Sequence, residues 1–138
     1  MRALLLHTNR FKTKLQKPAT RPKGIEPEKQ KTRHEEMTDC LACFFTIESN
    51  DTETQLTELH AEIIKTAKDV GIDRLMLVPF AHLSHDLVPP EIAKAMYLQL
   101  VKMFDNSDFQ VRTSHFGYHK SLELGIKGHP GSVRYREF

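Results

Sequence analysis

Three short clusters hold the side chains best suited to chemistry: Pro79-Phe80-Ala81-His82-Leu83-Ser84, Phe116-Gly117-Tyr118-His119-Lys120 and Lys127-Gly128-His129-Pro130. In each, a proton-handling or cationic group sits beside backbone that Gly or Pro bends out of a regular ladder. An imidazole exchanges protons near neutral pH. A lysine partly stripped of water can stabilise negative charge developing on an oxygen. Together these groups could handle a proton and steady a developing negative charge. The sequence offers no obvious Ser/His/Asp or Cys/His triad. His85 reads as peripheral, His7 and His115 as structural or surface groups, and His129 as a residue shaping its own turn through the backbone.

The elements that must position these groups are legible around them. Leu75-Met76-Leu77-Val78 runs directly into the first cluster, so His82 falls just past a buried strand, where open α/β sheets collect ligands. Strands are expected over Arg2 to Thr8, Cys40 to Ile47, Arg74 to Val78, Phe109 to Arg112 and Tyr118 to Ile126. A helix starts from turn and cap residues at Ser49-Asn50-Asp51-Thr52. Its apolar positions Leu56, Leu59, Ile63, Ile64, Ala67 and Val70 recur at three and four, and Gly71 ends it. A second helix opens at Pro90, runs through Ile92, Ala95, Met96, Leu100, Val101 and Phe104, and stops at Asn106. The stretch to about His34 begins as extended chain with apolar contacts at Phe11 and Leu15, then becomes loop. The whole is read as one α/β domain, residues 1–138, with a mixed β-sheet and two main helices.

With the opening Met1-Arg2-Ala3-Leu4-Leu5-Leu6-His7, the three clusters follow in the same order as in, and the chain resembles, the N-terminal editing domain of archaeal threonyl-tRNA synthetases. The resemblance implies a D-aminoacyl-tRNA deacylase-like fold and proofreading hydrolysis of L-seryl-tRNA bearing the threonine anticodon. It also implies that the ribose 2′-hydroxyl of the terminal adenosine assists the reaction, so few protein groups, no metal and no cofactor are needed. Carried onto this sequence, it makes His82 and Lys120 catalytic and places Ile47, Pro79 and Ala81 against the aminoacyl group, with Phe116 and Gly117 lining the same pocket. The family motif has two tyrosines before the lysine where this chain has Tyr118 and His119, so His119 is read as a candidate proton acceptor. The family also tends to carry a glutamate three residues after the KGHP proline, where this chain has Val133. Two other readings stay open: a D-aminoacyl-tRNA deacylase, and a degenerate tRNA-binding or dimerisation module.

Composition narrows the partners. Residues 1–34 hold ten Lys/Arg against the acids Glu26 and Glu28, a net +8, while the remainder nets −6. A basic arm on an acidic body is compatible with a polyanion or with a solvated loop, and the resemblance implies that the polyanion is aminoacyl-tRNA of the threonine isoacceptor. A homodimer is expected, and a threonyl-tRNA synthetase catalytic domain in cis or in trans. No run approaches the ~20 apolar residues of a membrane span, and Leu4 to Leu6 is too short for a signal peptide, so a cytoplasmic setting is expected. Cys40 and Cys43 form a CxxC without a second ligand pair. In a strand, positions i and i+3 point to opposite faces, so both read as buried apolar thiols.

Overall fold

The apolar run at the N-terminus opens a strand much longer than its hydrophobic pattern marks: β1 spans Arg2–Pro18. The computed structural model describes residues 1–29 and 32–138. β1 is paired along most of its length, antiparallel to β2 (His34–Thr46) and to β5 (Tyr118–Ile126). The expected end at Thr8 and the expected start of β2 at Cys40 are therefore corrected. Lys12 stands opposite Glu36 on one side and Glu123 on the other, and Arg10 pairs with the Glu36 carboxylate at 3.0 Å. Residues that look like a solvated basic stretch are thus accommodated in a ladder, while Phe11 and Leu15 point inward and are buried.

A sixth-strand pairing was not anticipated. β6, Val133–Glu137, runs antiparallel to the first part of β1, with Leu6 opposite Val133 and Arg2 opposite Glu137. β3 (Arg74–Pro79) lies parallel to β2, and β4 (Gln110–Thr113) parallel to β3. The sheet order is β4-β3-β2-β1-β5, with β6 on the β1 edge, which makes the sheet mixed as expected.

Two helices cover one face. α1, Glu53–Val70, is capped by Thr52, whose Oγ1 accepts from the Thr54 N–H at 3.2 Å while Gln55 Oε1 accepts the Thr52 N–H at 2.9 Å. Such caps are worth about 1 kcal/mol. Gly71, at φ 70°, closes it. α2, Pro90–Lys102, stops four residues before Asn106. The expected Met96, Leu100 and Val101, with Phe104 just beyond the helix, pack into or against the core, but Ile92 and Ala95 do not. Ile92 and Ala95 face solvent, and Tyr97 and Leu100 are buried. Tyr97 can be buried because its hydroxyl finds an acceptor, Glu28 Oε2, at 2.9 Å.

The other face holds Leu6, Phe11, Met37, Cys40, Ala42, Phe44, Met76 and Val78, with no helix residue in that cluster among the described residues. It is buried because the sheet curls on itself. Phe11 and Phe44 occupy rungs seven residues apart along β1, about 23 Å on a straight strand, yet their ring centroids are 6.2 Å apart. Cys40 belongs to this concave face and Cys43 to the helix-covered one. Burial pushes both thiols up from their ordinary range, so neither is a ready nucleophile.

Candidate active site

Pro79 closes β3, since proline cannot donate to a further rung. Beyond it Phe80 donates its N–H to Phe45 O at 2.9 Å, and Val88 donates to Ile47 O at 3.4 Å. Thr46 Oγ1 donates to Phe80 O. These bonds lash the loop after β3 to the end of β2, with the 3₁₀ turn Ala81–Leu83 between them. Ser84 Oγ donates to the Glu48 carboxylate, whose second oxygen accepts from the Met1 ammonium at 2.8 Å. His82 is exposed on this turn and sets its ring edge-on to Phe80, centroids 5.0 Å apart.

The second cluster rests on unusual backbone. His115 takes φ 53°, which non-glycine residues rarely adopt, and Gly117 follows at φ 82°. A Cβ on Gly117 would lie 2.7 Å from Pro27 Cα, so glycine is what lets the basic arm lie against this turn. Ala19 donates its N–H to Gly117 O at 2.8 Å, and Glu28 donates its N–H to Phe116 O at 3.0 Å. Tyr118 donates its hydroxyl to Glu28 O, and Glu28 Oε2 accepts from the Phe116 N–H, both at 2.9 Å. The arm read as loop is therefore strapped to the Phe116–Lys120 cluster.

Lys120 Nζ donates to Ser114 O and His115 O, each at 2.7 Å, and to Ser114 Oγ at 3.1 Å. An ammonium has three protons, and all three have protein acceptors. Burial lowers the Lys120 pKa to about 8, with the negative charge of Glu28 acting in the opposite direction. Along β5 exposure alternates: Tyr118 and Lys120 are partly buried and His119 is exposed. The irregularity near Gly117 falls in β1, between Leu15 and Pro18, so exposure alternates along β5 from Tyr118 to Glu123, although His119 and Lys120 both border the cavity described next.

Between the two clusters lies a cavity of about 310 Å³. Its lining includes His82, Lys120, His119, Ile47, Pro79, Ala81, Phe116 and Gly117, so all eight candidate site residues border one space. Sequence reasoning missed Thr46, Tyr97, Tyr118 and the arm residues Arg21 and Ile25, which also line it, and Glu28 behind it. The signal for Glu28 was available, because it is one of only two acids in the basic arm. The KGHP turn borders a different place. His7 Nδ1 and His129 Nε2 are 2.7 Å apart, His129 Nδ1 meets Pro130 O at 2.9 Å, and Lys127 pairs with Asp39. Val133 is 54% exposed and is not part of the cavity wall.

The archaea-specific editing domain of threonyl-tRNA synthetase matches residues 1–138. The threonine–tRNA ligase of Thermococcus gammatolerans is 33% identical across 94% of this chain, and that of Hyperthermus butylicus is 34% identical across 100%. The chain spans about a fifth of those proteins, 21% and 23% of their lengths. Among solved structures, a c-Myc DNA Unwinding Element Binding Protein matches with a TM-score of 0.71 over 100% of this chain and 99% of its own, at 13% identity. That likeness is one of fold, the D-aminoacyl-tRNA deacylase-like fold implied by the sequence motifs. Editing is hydrolysis of an aminoacyl ester, and the chain, an aminoacyl-tRNA deacylase by class, belongs to the archaea-specific editing domains of threonyl-tRNA synthetase.

Proposed function

We propose that the chain hydrolyses mischarged L-seryl-tRNA bearing the threonine anticodon and spares threonyl-tRNA, in a metal-free reaction assisted by the ribose 2′-hydroxyl. The observation that carries this reading is convergence: His82 and Lys120, 38 positions apart, border one cavity of about 310 Å³ with Ile47, Pro79 and Ala81 on its wall. A pocket built for threonine rejects serine by only about 1–3 kcal/mol per methyl, so a second, tighter site must remove the smaller product. Ile47 and Val88 are nearly fully buried beside the cavity, and such packed walls leave little give for an added methyl.

Water adds to the ester carbonyl, the developing oxyanion faces the Lys120 ammonium, and the carbon–oxygen bond to the ribose breaks as that oxygen takes a proton. The substrate carbonyl displaces Ser114 Oγ, the longest of the three contacts to Nζ. His82 positions the seryl ester at the mouth. His119, exposed at the cavity wall, is the candidate acceptor for the proton of the attacking water. The natural setting is cytoplasmic, with a threonyl-tRNA synthetase catalytic domain in cis or in trans. A homodimer burying the exposed apolar residues Ile126, Val133 and Tyr135 on β5 and β6 completes the reading.

The test is single-turnover deacylation of L-seryl-, L-threonyl- and D-aminoacyl-tRNA, with and without a chelator. Rapid loss of the L-seryl ester alone, unaffected by the chelator, is expected. Equal rates on seryl and threonyl esters overturn the editing assignment, a preference for the D-ester moves it to the stereospecific class, and chelator inhibition overturns the metal-free mechanism.

A further inference from the structure

We propose that Glu28, in the basic arm, is a positioning residue of the hydrolytic site, acting on Lys120 through the single peptide group that joins His115 to Phe116. The inference rests on the deacylase reading and extends it to a residue outside the three sequence clusters. The Phe116 N–H donates to Glu28 Oε2 at 2.9 Å, and the His115 carbonyl on the other end of that peptide accepts from Lys120 Nζ at 2.7 Å. One peptide dipole therefore lies between a carboxylate and an ammonium, its hydrogen toward the negative group and its oxygen toward the positive one. Hydrogen bonds in series polarise one another, most strongly where water is scarce.

Three further observations make Glu28 more than a surface acid. Its Oε2 also accepts from the buried Tyr97 hydroxyl at 2.9 Å. Its own backbone is paired with the same turn, the N–H to Phe116 O and the carbonyl from the Tyr118 hydroxyl. The peptide it holds follows His115 at φ 53°, a conformation rare for a non-glycine residue that persists only where its surroundings over-determine it. Glu28 and Lys120 pull that peptide from its two ends.

Among the described residues, the charged or titratable groups that line the cavity with Lys120 are Tyr118 and His119 on β5, Tyr97 on α2, and Arg21 and His82, with His115 in the turn that Lys120 bonds. Burial lowers the Lys120 pKa to about 8 and Glu28 opposes that shift. Activity that needs the ammonium is present below this pKa and lost as pH rises through it. Removing the Glu28 charge moves the loss to lower pH.

Glu28→Gln keeps the side-chain volume and an oxygen for the Phe116 N–H while deleting the charge. Two measurements are made on the full chain. Titration of the Lys120 Nζ by NMR, without substrate, is expected to move down by about one unit in Glu28→Gln. The basic limb of the kcat profile on L-seryl-tRNA should move with it, KM changing little. Tyr97→Phe removes one hydrogen bond to Glu28 but no charge, and should leave the Lys120 titration in place. An unchanged Lys120 titration in Glu28→Gln overturns the proposal, whatever the activity. A shifted titration in a chain that cleaves no aminoacyl-tRNA supports the coupling and overturns the deacylase reading instead. If Glu28→Gln fails to fold, Glu28→Asp, which keeps the charge on a shorter arm, is expected to hold the Lys120 titration near the wild-type position. A wild-type fold with the Lys120 titration moved down by about one unit despite the retained charge overturns it.

Discussion

At the scale of the residue, Lys120 carries the sharpest expectation. Its ammonium is caged by Ser114 and His115 and has a pKa of about 8 because burial disfavours the charged form. Lys120→Met keeps the apolar stem and deletes the charge, so it should remove transition-state stabilisation while leaving the surface that meets tRNA intact. Loss of one such charged donor costs about 10²–10³ in kcat. The check is single-turnover cleavage beside an equilibrium binding titration, and a variant that cleaves at the wild-type rate would reduce Lys120 to a structural residue. His119 supplies the contrast. It borders the cavity but is exposed where Lys120 is held inside, so His119→Tyr, which restores the two-tyrosine motif of the family, is expected to change kcat by no more than about twofold. A wild-type rise of kcat with pH on the acid side that flattened in this variant would instead make His119 the proton acceptor.

At the scale of the element, the two clusters were legible because each is a strand end followed by a residue type with chemistry. Leu75 to Val78 announced β3, and Gly117 announced a turn. What escaped was long-range pairing. No periodicity within residues 9–18 reveals that Glu36 and Glu123 stand opposite Lys12, and β6 has an exposed Val133 and Tyr135 where an alternating strand would mark its buried face. Tyr97 escaped for the same reason, since the acceptor that permits its burial is 69 residues away in sequence. The arm's dependence on Gly117 can be checked directly. Gly117→Ala meets Pro27 Cα at 2.7 Å and a positive φ, whereas Gly128 has nothing within 4 Å of an added Cβ. Gly117→Ala should lower Tm by about 4 °C or more, as expected for a loss near 1 kcal/mol, and reduce kcat/KM by displacing the arm. Gly128→Ala should leave both near wild type. Equal behaviour of the two would mean that the arm does not rely on this approach.

At the scale of the whole molecule, the curl of the sheet does two things together. It buries Phe11, Met37 and Phe44 with no α-helix residue in their cluster among the described residues, and it carries the far end of β1, with Lys120 opposite Leu15, back to the cavity shared with Ile47 at the end of β2. The same curl brings the basic arm to the cavity mouth, where Arg21 and Ile25 join the wall. Charge and chemistry are then separate functions on adjoining surfaces: Lys14, Lys17 and Lys23 are exposed around the arm, while Lys120 is held inside. A flexible polyanion whose end must enter the cavity would lie across those exposed lysines, releasing counterions as it binds. Neutralising one of them, as in Lys14→Gln, Lys17→Gln or Lys23→Gln, should weaken tRNA binding and lower the slope of log affinity against log salt by about one per contact removed. None should alter kcat once substrate is saturating. Salt slopes that stay at the wild-type value in all three variants would place the tRNA backbone on another face, and a fall in kcat with KM unchanged would mean that these lysines reach the ester rather than the phosphates.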